Sequence, residues 1–412
     1  MILKAARKWL ARRNRPRRIK AEEHNIRPQQ IGKNALGAVR KLAQAGYDSY
    51  IVGGAVRDLL LELKPKDFDI ATAATPAQIR RLFRNSRIIG RRFRLIHLYF
   101  GGGEIVEVAT FRARAEDSAR EESGRILRDN RFGKPDDDAK RRDFTANALF
   151  YDPGNGEVLD YVGGFDDILQ GKLRIIGKNE ERIREDPVRM LRALRLAAKT
   201  KLVIAPGAAR LFAGHANALM DIAPARLLDE FVKVIRSGCC ATALRGWKKH
   251  KLAEVIFPQL ADASGFAERA FADTDKRAAK GGQVSVSFVA AAAYWHLVGG
   301  KWLPEVQKGA RPVGTMERAL GEADFLANRV LSKRVAAKMT DLYFLLARMQ
   351  MPATRKKRCD AIAANVLFER AIAFAKLEEG MRPLWQWWQQ YADANHKERL
   401  LMMPSNKKRR AK

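Results

Sequence analysis

The sequence predicts an α+β protein, in which an N-terminal part containing a sheet is followed by an all-helical body. Short runs of β-branched and aromatic residues, separated by Gly, Pro and Asn, occur between residues 50 and 161. From Glu180 onward such runs are almost absent, and apolar residues recur at helical spacing among many Ala, Leu and Arg residues. The predicted helices of this second part lie near 187–199, 225–237, 287–297, 317–347 and 360–378.

The same signals predict the elements of the sheet-containing part. Gly46 ends a helix over 34–45, and Thr75-Pro76 supplies the N-cap and the first residue of another helix. Residues 113–135 are polar and charged, which indicates an excursion from the fold. The predicted strands are 50–52, 67–70, 94–100, 104–111, 148–152 and 158–161, with a further helix over 138–147.

A Gly-Gly pair after the first predicted strand suits a phosphorylated ligand. Gly53-Gly54 lets backbone N–H groups come close to a bulky anion. A helix is expected to begin near Ala55, and Arg57 then lies near its N-terminus, where a guanidinium can pair with phosphate.

Two carboxylates follow at a spacing of two residues. In a strand over 67–70, Asp67 and Asp69 share one face while Phe68 and Ile70 point into the core. Neighbouring carboxylates repel each other unless a cation lies between them, and their hard oxygen atoms suit Mg²⁺. A phosphate-binding backbone beside a metal-binding pair predicts phosphoryl or nucleotidyl transfer.

Glu107 is a carboxylate within an otherwise apolar predicted strand, and the residues alone leave two interpretations open. It either faces solvent on an antiparallel edge strand or forms a third carboxylate beside Asp67 and Asp69. His97, near the end of the preceding strand, is interpreted as a structural residue rather than a general base.

Composition indicates the class of partner. Lys and Arg total 78 against 46 Asp and Glu, a net charge of +32, and the basic residues occur along the whole chain. This excess predicts a polyanionic partner, and nucleic acid rather than a membrane surface. No apolar run is long enough for membrane insertion. The three cysteines, Cys239, Cys240 and Cys359, fit neither a disulfide framework nor zinc-ligand spacing, which predicts a reducing, cytoplasmic location.

Six blocks carry a resemblance to a known family. They are VGGAVRDLLL (52–61), KPKDFDIAT (64–72), EVATFR (107–112), RRDFTANAL (141–149), DYVGGFDDI (160–168) and EDPVRMLRALRLAAK (185–199). Together they resemble the nucleotidyltransferases of the DNA polymerase β fold, and within them the bacterial poly(A) polymerases and CCA-adding tRNA nucleotidyltransferases. The resemblance covers about residues 30–240 and implies a polymerase β-like head with a small mixed sheet.

The resemblance implies metal and phosphate ligands. Asp67 and Asp69 are expected to hold two Mg²⁺ ions, with Glu107 close by. Gly53-Gly54 and Arg57 are expected to contact the triphosphate of the substrate ATP.

The resemblance also implies residues that serve the nucleoside. Arg142 and Asp143 fall in the block that family members use for the ribose and for support of the metal site. Asp186 and Arg189 fall where the family reads the base. Pro187 suits the first helical position and Asp186 the N-cap, so Asp186 and Arg189 are expected one turn apart on one face. The residues alone favour a simpler interpretation, in which Asp186 caps the helix and pairs with Arg189, and the resemblance reverses that preference.

The blocks divide the chain into five expected segments. These are a basic flexible arm (1–24), a nucleotidyltransferase head (25–165), a nucleotide-recognition helical neck (166–240), a helical RNA-binding body (241–402) and a basic tail (403–412).

Two further blocks favour the poly(A) branch over the CCA-adding branch. IGRRFRLIHL (89–98) and PARLLDE (224–230) are similar to segments of bacterial poly(A) polymerases, and basic arms at both ends suit a long RNA primer. The expected RNA-binding residues are Arg91, Arg92, Arg94, Lys407, Lys408, Arg409 and Arg410.

The function implied is template-independent polyadenylation of RNA 3′ ends, in which AMP is transferred from ATP to the 3′-hydroxyl and pyrophosphate is released by a two-metal mechanism. The alternatives are CCA addition to tRNA and a catalytically inactive RNA-binding protein. The three clustered carboxylates argue against the inactive protein.

Overall fold

The computed structural model describes residues 15–403 apart from 91–93, 114–118, 121–125, 129–131, 264, 324, 326–327 and 329. The chain forms two compact units, Met1–Leu211 and Phe212–Lys412. Their boundary falls within 166–240, which the sequence had assigned to one neck. The helix Gly164–Leu169 crosses the start of that range. It packs on the head so closely that a Cβ on Gly164 would lie 2.1 Å from the carbonyl oxygen of Thr145.

The first unit contains the sheet. Its strands are β1 (Arg17–Ile19), β2 (Ser49–Val52), β3 (Asp69–Thr72), β4 (Ser86–Ile89), β5 (Leu95–Tyr99), β6 (Ile105–Thr110), β7 (Ala119–Arg120), β8 (Ile126–Arg128), β9 (Leu149–Asp152), β10 (Glu157–Asp160), β11 (Lys172–Leu173) and β12 (Val203–Ile204). Its helices are α1 (Lys33–Gln44), α2 (Gly54–Leu60), α3 (Pro76–Leu82), α4 (Pro135–Arg141), α5 (Gly164–Leu169), α6 (Asn179–Glu185), α7 (Val188–Thr200) and α8 (Pro206–Ala209).

Eight of these strands form one mixed sheet in the order β1-β10-β9-β2-β3-β6-β5-β4. The β3–β6 pair is parallel, whereas the other neighbouring pairs are antiparallel. The sheet and the helical second unit confirm the predicted α+β class. Two strands of this eight-stranded sheet were not predicted, β1 and β4, and both are short strands at its edges.

One face of the sheet is covered by helices. Ile51, Ile70, Val108 and Ile96 lie opposite one another on successive strands and are at most 1% exposed. Helix α1 packs against β2 and β3, and α3 packs against β4 and β5. Thr75 caps α3 as predicted, because its side chain accepts from the backbone N–H of Gln78.

The opposite face is covered only in part. Beside β2, β9 and β10 it carries an apolar cluster that includes Val52, Phe150, Leu159 and Phe111. Towards β6, β5 and β4 the same face carries Glu107, His97 and other polar side chains; we call this part the open face. Asp69 lies opposite Val52 on one side and Glu107 on the other, so it stands where the covered part meets the open face.

The expected flexible arm over 1–24 is too long. Residues 17–19 form β1, which pairs with β10, and Ile19 is fully buried. Arg17 also forms an ion pair with Asp166 at 2.7 Å. Residues 1–14 of the arm and 404–412 of the basic tail lie outside the described residues.

Helix boundaries also differ in the first unit. The helix expected over 138–147 is α4 followed by a 3-10 turn, Thr145–Asn147, because Arg142 adopts an extended conformation between them. The two-residue strand β12 lies beyond the point where strands were expected to end, and it pairs with β11.

The second unit is helical. Its helices are α9 (Pro224–Ile235), α10 (Cys240–Lys249), α11 (Leu252–Ile256), α12 (Pro258–Ala261), α13 (Gly265–Ala279), α14 (Val286–Gln307), α15 (Pro312–Glu322), α16 (Lys333–Met349), α17 (Lys356–Ala363), α18 (Phe368–Lys376), α19 (Arg382–Asp393) and α20 (His396–Leu401). The stretch expected over 317–347 is two helices, because Ser332 caps a new helix by accepting from the backbone N–H of Val335. The stretch expected over 360–378 is likewise divided between α17 and α18. No helix among the described residues is long and apolar enough to cross a membrane.

Aromatic side chains fill the core of this unit. Trp295 stacks on Tyr343 at 6.0 Å and meets Phe374 edge-on at 5.1 Å. Trp388 is 2% exposed and donates from Nε1 to the carbonyl oxygen of Met349, so its ring is part of this core.

A buried ion-pair cluster joins α2 to α7. Asp58, whose side chain is 3% exposed, accepts from Nε and Nη2 of Arg57 and from Nζ of Lys199 at 2.7 Å. Arg57 is itself 5% exposed, and burial lowers its pKa although Asp58 opposes that change. Removing one charge from such a cluster leaves the other buried without compensation.

We therefore expect Asp58→Asn to destabilise the first unit by about 3–5 kcal/mol, because the Arg57 guanidinium loses its buried counter-charge. Differential scanning calorimetry of the full chain would show a lower unfolding temperature. Asp166→Asn is the matched control, since that carboxylate pairs with Arg17 where both side chains are 51% exposed, and such pairs contribute about 1 kcal/mol or less. Equal shifts in the two variants would contradict this account.

Candidate active site

The register of β3 and β6 brings the predicted carboxylates together. Asp69 is the first residue of β3 and lies directly opposite Glu107 of the parallel strand β6. The side chains of β6 alternate strictly between exposed and buried, and Glu107 is on the exposed side. The edge-strand interpretation of Glu107 is wrong, because β6 lies between β3 and β5. Asp67 is exposed and precedes β3 rather than belonging to it.

Electrostatic repulsion marks this cluster. Burial, together with the negative charges of Glu107 and Asp67, raises the pKa of Asp69 to about 6, while Arg142 opposes them. A carboxylate that resists ionisation between two others is stabilised by a nearby cation. The site therefore has the charge of a cation site even before a nucleotide is considered.

The donor set fits Mg²⁺ that is shared with a substrate. Within the described part of the chain, no three side chains of His, Cys, Asp or Glu converge closely enough to hold a metal by themselves. Mg²⁺ is commonly bound through one or two carboxylates, with water and substrate phosphates completing its octahedral shell. Asp67 and Asp69 supply the two carboxylates, and their oxygen atoms are the hard ligands that this ion prefers.

Gly53 and Gly54 lie between two guanidinium groups. Gly53 has φ +73°, which a side chain would strain, and a Cβ there would lie 3.1 Å from Nη1 of Arg142. A Cβ on Gly54 would lie 3.4 Å from Nη2 of Arg57. The two glycines thus place backbone without side chains between two positive charges, an arrangement suited to an anion.

Both guanidinium groups are fixed by carboxylates on their own helix or next to it. Besides its contacts with Asp58, Arg57 donates from Nη1 to Oδ1 of Asn147. Arg142 donates from Nη2 to Oδ2 of Asp138 at 2.8 Å and lies over the ring of Phe150 at 5.2 Å. Arg57 was expected to contact a triphosphate. In the structure its Nε, Nη1 and Nη2 atoms are bonded to Asp58 and Asn147, so the guanidinium is a positive charge held in a fixed position.

Asp143 contacts α7, the helix that contains the predicted base-reading residue Arg189. It accepts from Nε of Arg189 at 2.8 Å and from Nη1 of Arg192. Burial opposes ionisation of Asp143, but Arg192 and Arg189 outweigh it and hold its pKa below the ordinary value. Asp143 is therefore placed to hold α7 through Arg189 and Arg192. Its support of the metal site stays a prediction.

The side chain of Arg189 makes contacts other than the pairing with Asp186 that the residues alone favoured. Arg189 donates from Nη1 to the carbonyl oxygen of Arg182 and to Glu185 at 3.1 Å, so its Nε and Nη1 atoms are in use. The N-cap position of α7 belongs to Pro187, and Asp186 is the C-terminal cap residue of α6. Helix α7 therefore begins one residue later than predicted, because only Asp186 and Pro187 separate it from α6.

Most predicted RNA-binding residues lie outside the described part of the chain. Arg91, Arg92 and residues 407–410 belong to this group. Arg94 is described and is exposed immediately before β5.

Several residues of the site were not found from the sequence. They are Asp58, Asp138, Asn147, Arg192 and His97, which fix or adjoin the predicted residues. The spacing of Asp138 and Arg142 by four residues on a helical stretch was a usable signal. The contact of Asp143 with Arg192 spans 49 positions and had no local signal.

Comparisons with known proteins agree with this geometry. The chain matches the Poly A polymerase head domain over residues 49–174, the probable RNA and SrmB-binding site of polymerase A over 201–264, and the polymerase A arginine-rich C-terminus over 309–412. Among solved structures, a CCA-adding enzyme of Bacillus stearothermophilus in complex with CTP has the same fold, with a TM-score of 0.58 and 24% identity over 92% of this chain and 90% of that one.

Curated relatives divide into two groups by coverage. Poly(A) polymerase I of Salmonella typhi is 38% identical over 90% of this chain and 85% of its own length, and that of Haemophilus influenzae is 38% identical over 92% and 89%. The CCA-adding enzyme of Geobacillus stearothermophilus is 36% identical over only 52% of this chain and 51% of its own length. The resemblance inferred from the six sequence blocks is confirmed, and the chain belongs to the bacterial poly(A) polymerase family.

Proposed function

We propose that this protein adds AMP from ATP to the 3′ ends of RNA without a template. The observation that supports this most strongly is that the similarity to poly(A) polymerases extends over nine-tenths of the chain, including the helical second unit. Sequence similarity to the CCA-adding enzyme of Geobacillus stearothermophilus covers only about half of it. The head alone would serve either reaction, so the second unit carries the distinction.

The reaction requires in-line attack by the RNA 3′-hydroxyl on the α-phosphorus of ATP, with pyrophosphate as the leaving group. Asp67 and Asp69 would hold two Mg²⁺ ions, with Glu107 beside them. Bound there, Mg²⁺ would lower the pKa of the 3′-hydroxyl and neutralise the charge of the leaving pyrophosphate.

The phosphates of ATP are bound by positive charges that are already held in position. The guanidinium groups of Arg57 and Arg142, on either side of Gly53-Gly54, attract and orient the β- and γ-phosphates. Because Asp58 and Asp138 hold these groups in place before substrate arrives, little side-chain entropy is lost on binding. No covalent intermediate with a side chain is needed.

Selection of the base is assigned to the segment that joins α6 and α7. Arg189 retains Nη2, which forms no bond to the described residues, and a guanidinium nitrogen donates well to a base edge. Asp186 can accept from an exocyclic amine such as that of adenine. In this proposal Asp143 fixes the orientation of Arg189, and Asp143 therefore contributes to selectivity without touching the base.

A cytoplasmic location is also proposed. Cys240 and Cys359 are buried thiols without a disulfide, as expected for a protein kept in a reducing compartment. The net charge of +32 supports RNA as the main partner.

Asp69→Asn is expected to abolish AMP incorporation and to leave the metal-free protein as stable as before, or more so. In the folded state the pKa of Asp69 is raised from 3.8 to about 6, so ionising it opposes folding, and the penalty is fully present above that pH. Removing the charge removes this penalty. Primer extension with Mg²⁺, together with thermal unfolding in EDTA near neutral pH, measures both effects. More than trace activity in the variant would contradict the assignment of Asp69 as a ligand of Mg²⁺.

Arg189→Ala is expected to lose most of the preference for ATP over CTP, a discrimination of about 1–3 kcal/mol for one good base contact. Asp143→Asn should act in the same direction, since it releases Arg189. The double variant should lose little more than either single one, because the two residues form one unit. Glu180→Gln, which alters an exposed carboxylate of α6, is the control and should leave the kcat/KM ratio for the two nucleotides unchanged. Additive losses would contradict the proposed coupling.

The branch of the family is tested by supplying two primers with each nucleotide separately. We expect repeated incorporation of AMP on an unstructured oligo(A) primer and poor use of CTP. Addition of two cytidines and one adenosine to a tRNA lacking its 3′ end, with no tail on oligo(A), would assign the protein to CCA addition instead. That result would leave the role of the carboxylates intact.

A further inference from the structure

A row of polar side chains continues from the carboxylates across the open face to the edge of the sheet. Glu107 lies opposite His97 in the β6–β5 register, and His97 lies opposite Arg87 in the β5–β4 register. Nε2 of His97 is 3.3 Å from Oε1 of Glu107. The carboxylate cluster is thus connected through His97 to an arginine on the outermost strand.

The outer end of this face consists of Arg87, Tyr99 and Ile105, which we call the edge platform. The guanidinium of Arg87 lies over the ring of Tyr99, with Cζ 5.5 Å from the ring centroid. Tyr99 pairs in register with Ile105, and the two are 37% and 41% exposed. An aromatic ring, an aliphatic side chain and a cation are therefore adjacent and open to solvent.

The charge of Arg87 is available to a ligand. Its contact with Tyr99 is the one interaction found for its guanidinium within the described residues, and no carboxylate pairs with it there. A cation resting on an exposed aromatic ring is held weakly, so a planar ligand can take its place on the ring. The displaced guanidinium can then pair with an anion.

We propose that the edge platform binds one of the last nucleotides of the RNA primer, with its base stacked on Tyr99 and its phosphate paired with Arg87. This inference rests on the proposed function, which places the primer 3′-hydroxyl at the carboxylates. Stacking on an aromatic ring accepts any base, as the growth of a tail on varied transcripts requires. Ile105 lies beside the ring and offers further apolar surface to the base.

The distances suit a nucleotide close to the 3′ end. Strand β5 is two strand spacings from β3, which is roughly 10 Å at about 4.8 Å per spacing. Stacked nucleotides advance by about 3.4 Å each along one strand. The platform therefore lies within about three nucleotides of the carboxylate cluster, and a primer that follows the open face must pass over it.

The charge of the surface favours nucleic acid over a protein partner. Arg87 carries an exposed positive charge on the open face, and this face continues directly into the site where a phosphate ester is expected to react. An unpaired arginine beside an exposed aromatic ring matches the phosphate and base of a single-stranded nucleic acid.

Tyr99→Ala and Arg87→Ala in the full-length protein test this proposal in steady-state extension of a short oligo(A) primer. Each variant is expected to raise the KM for primer roughly tenfold and to leave the KM for ATP unchanged, in line with the strength of base stacking on a single aromatic residue. Tyr99→Phe should retain wild-type behaviour because the ring remains, whereas Tyr99→Leu should behave like Tyr99→Ala. Arg80→Ala, which removes an exposed arginine from α3 on the helix-covered face, is the charge-matched control and should have no effect.

A second measurement locates the nucleotide. Primers with one abasic position, moved stepwise back from the 3′ end, should show one position near that end where the wild type loses affinity and Tyr99→Ala does not. Three results would overturn the platform: an unchanged primer KM in Tyr99→Ala and Arg87→Ala, an equal effect of Arg80→Ala, or equal sensitivity of wild type and Tyr99→Ala to every abasic position. In each case, extension by the wild type would still support polyadenylation. Failure of the wild type to extend any primer would overturn the proposed function, and the platform with it.

Discussion

The site depends on the parallel pairing of β3 with β6, which places Asp69 directly against Glu107. Two carboxylates so close, with Asp67 beside them, repel each other, and this repulsion adds to burial in raising the pKa of Asp69. The protein tolerates this repulsion because packing stabilises the surrounding sheet. The opposite face is buried under helices, and an apolar cluster covers the neighbouring part of the same face. The strain is relieved when a cation arrives, so that binding energy is directed to the place where charge changes during nucleotidyl transfer.

The positive side of the site follows a recurring pattern. Three carboxylates, Asp58, Asp138 and Asp143, are paired with Arg57, Arg142 and Arg189. In each case the carboxylate fixes the direction of a guanidinium that would otherwise lose rotamer freedom when it binds substrate. The adjacent Arg and Asp residues of VRD (56–58) and RRD (141–143) accordingly have different partners. Arg57 pairs with the next residue, whereas Asp143 pairs with an arginine of α7.

The sequence predicted the strand β2, the capped helix after Thr75, the α+β class and the carboxylate cluster, because each depends on local signals. It did not predict β1 and β4, since three- and four-residue edge strands have too few side chains for a clear alternation. The interpretation of Glu107 was left open, because only the register between two distant strands decides it. Arg189 and Asp143 were both identified, yet their contact joins residues that are 46 positions apart in the chain. Such long-range pairing has no signature in a single sequence.

The central claim is that Asp67 and Asp69 bind the metal together with the phosphates of ATP, while Arg57 and Arg142 bind the phosphates independently of it. Calorimetric titration of ATP into the wild type and into Asp69→Asn, with Mg²⁺ and in EDTA, separates these contributions. The account predicts that Mg²⁺ strengthens ATP binding to the wild type, and that Asp69→Asn binds metal-free ATP at least as well as the wild type but gains little from Mg²⁺. An equal gain from Mg²⁺ in both proteins would contradict it.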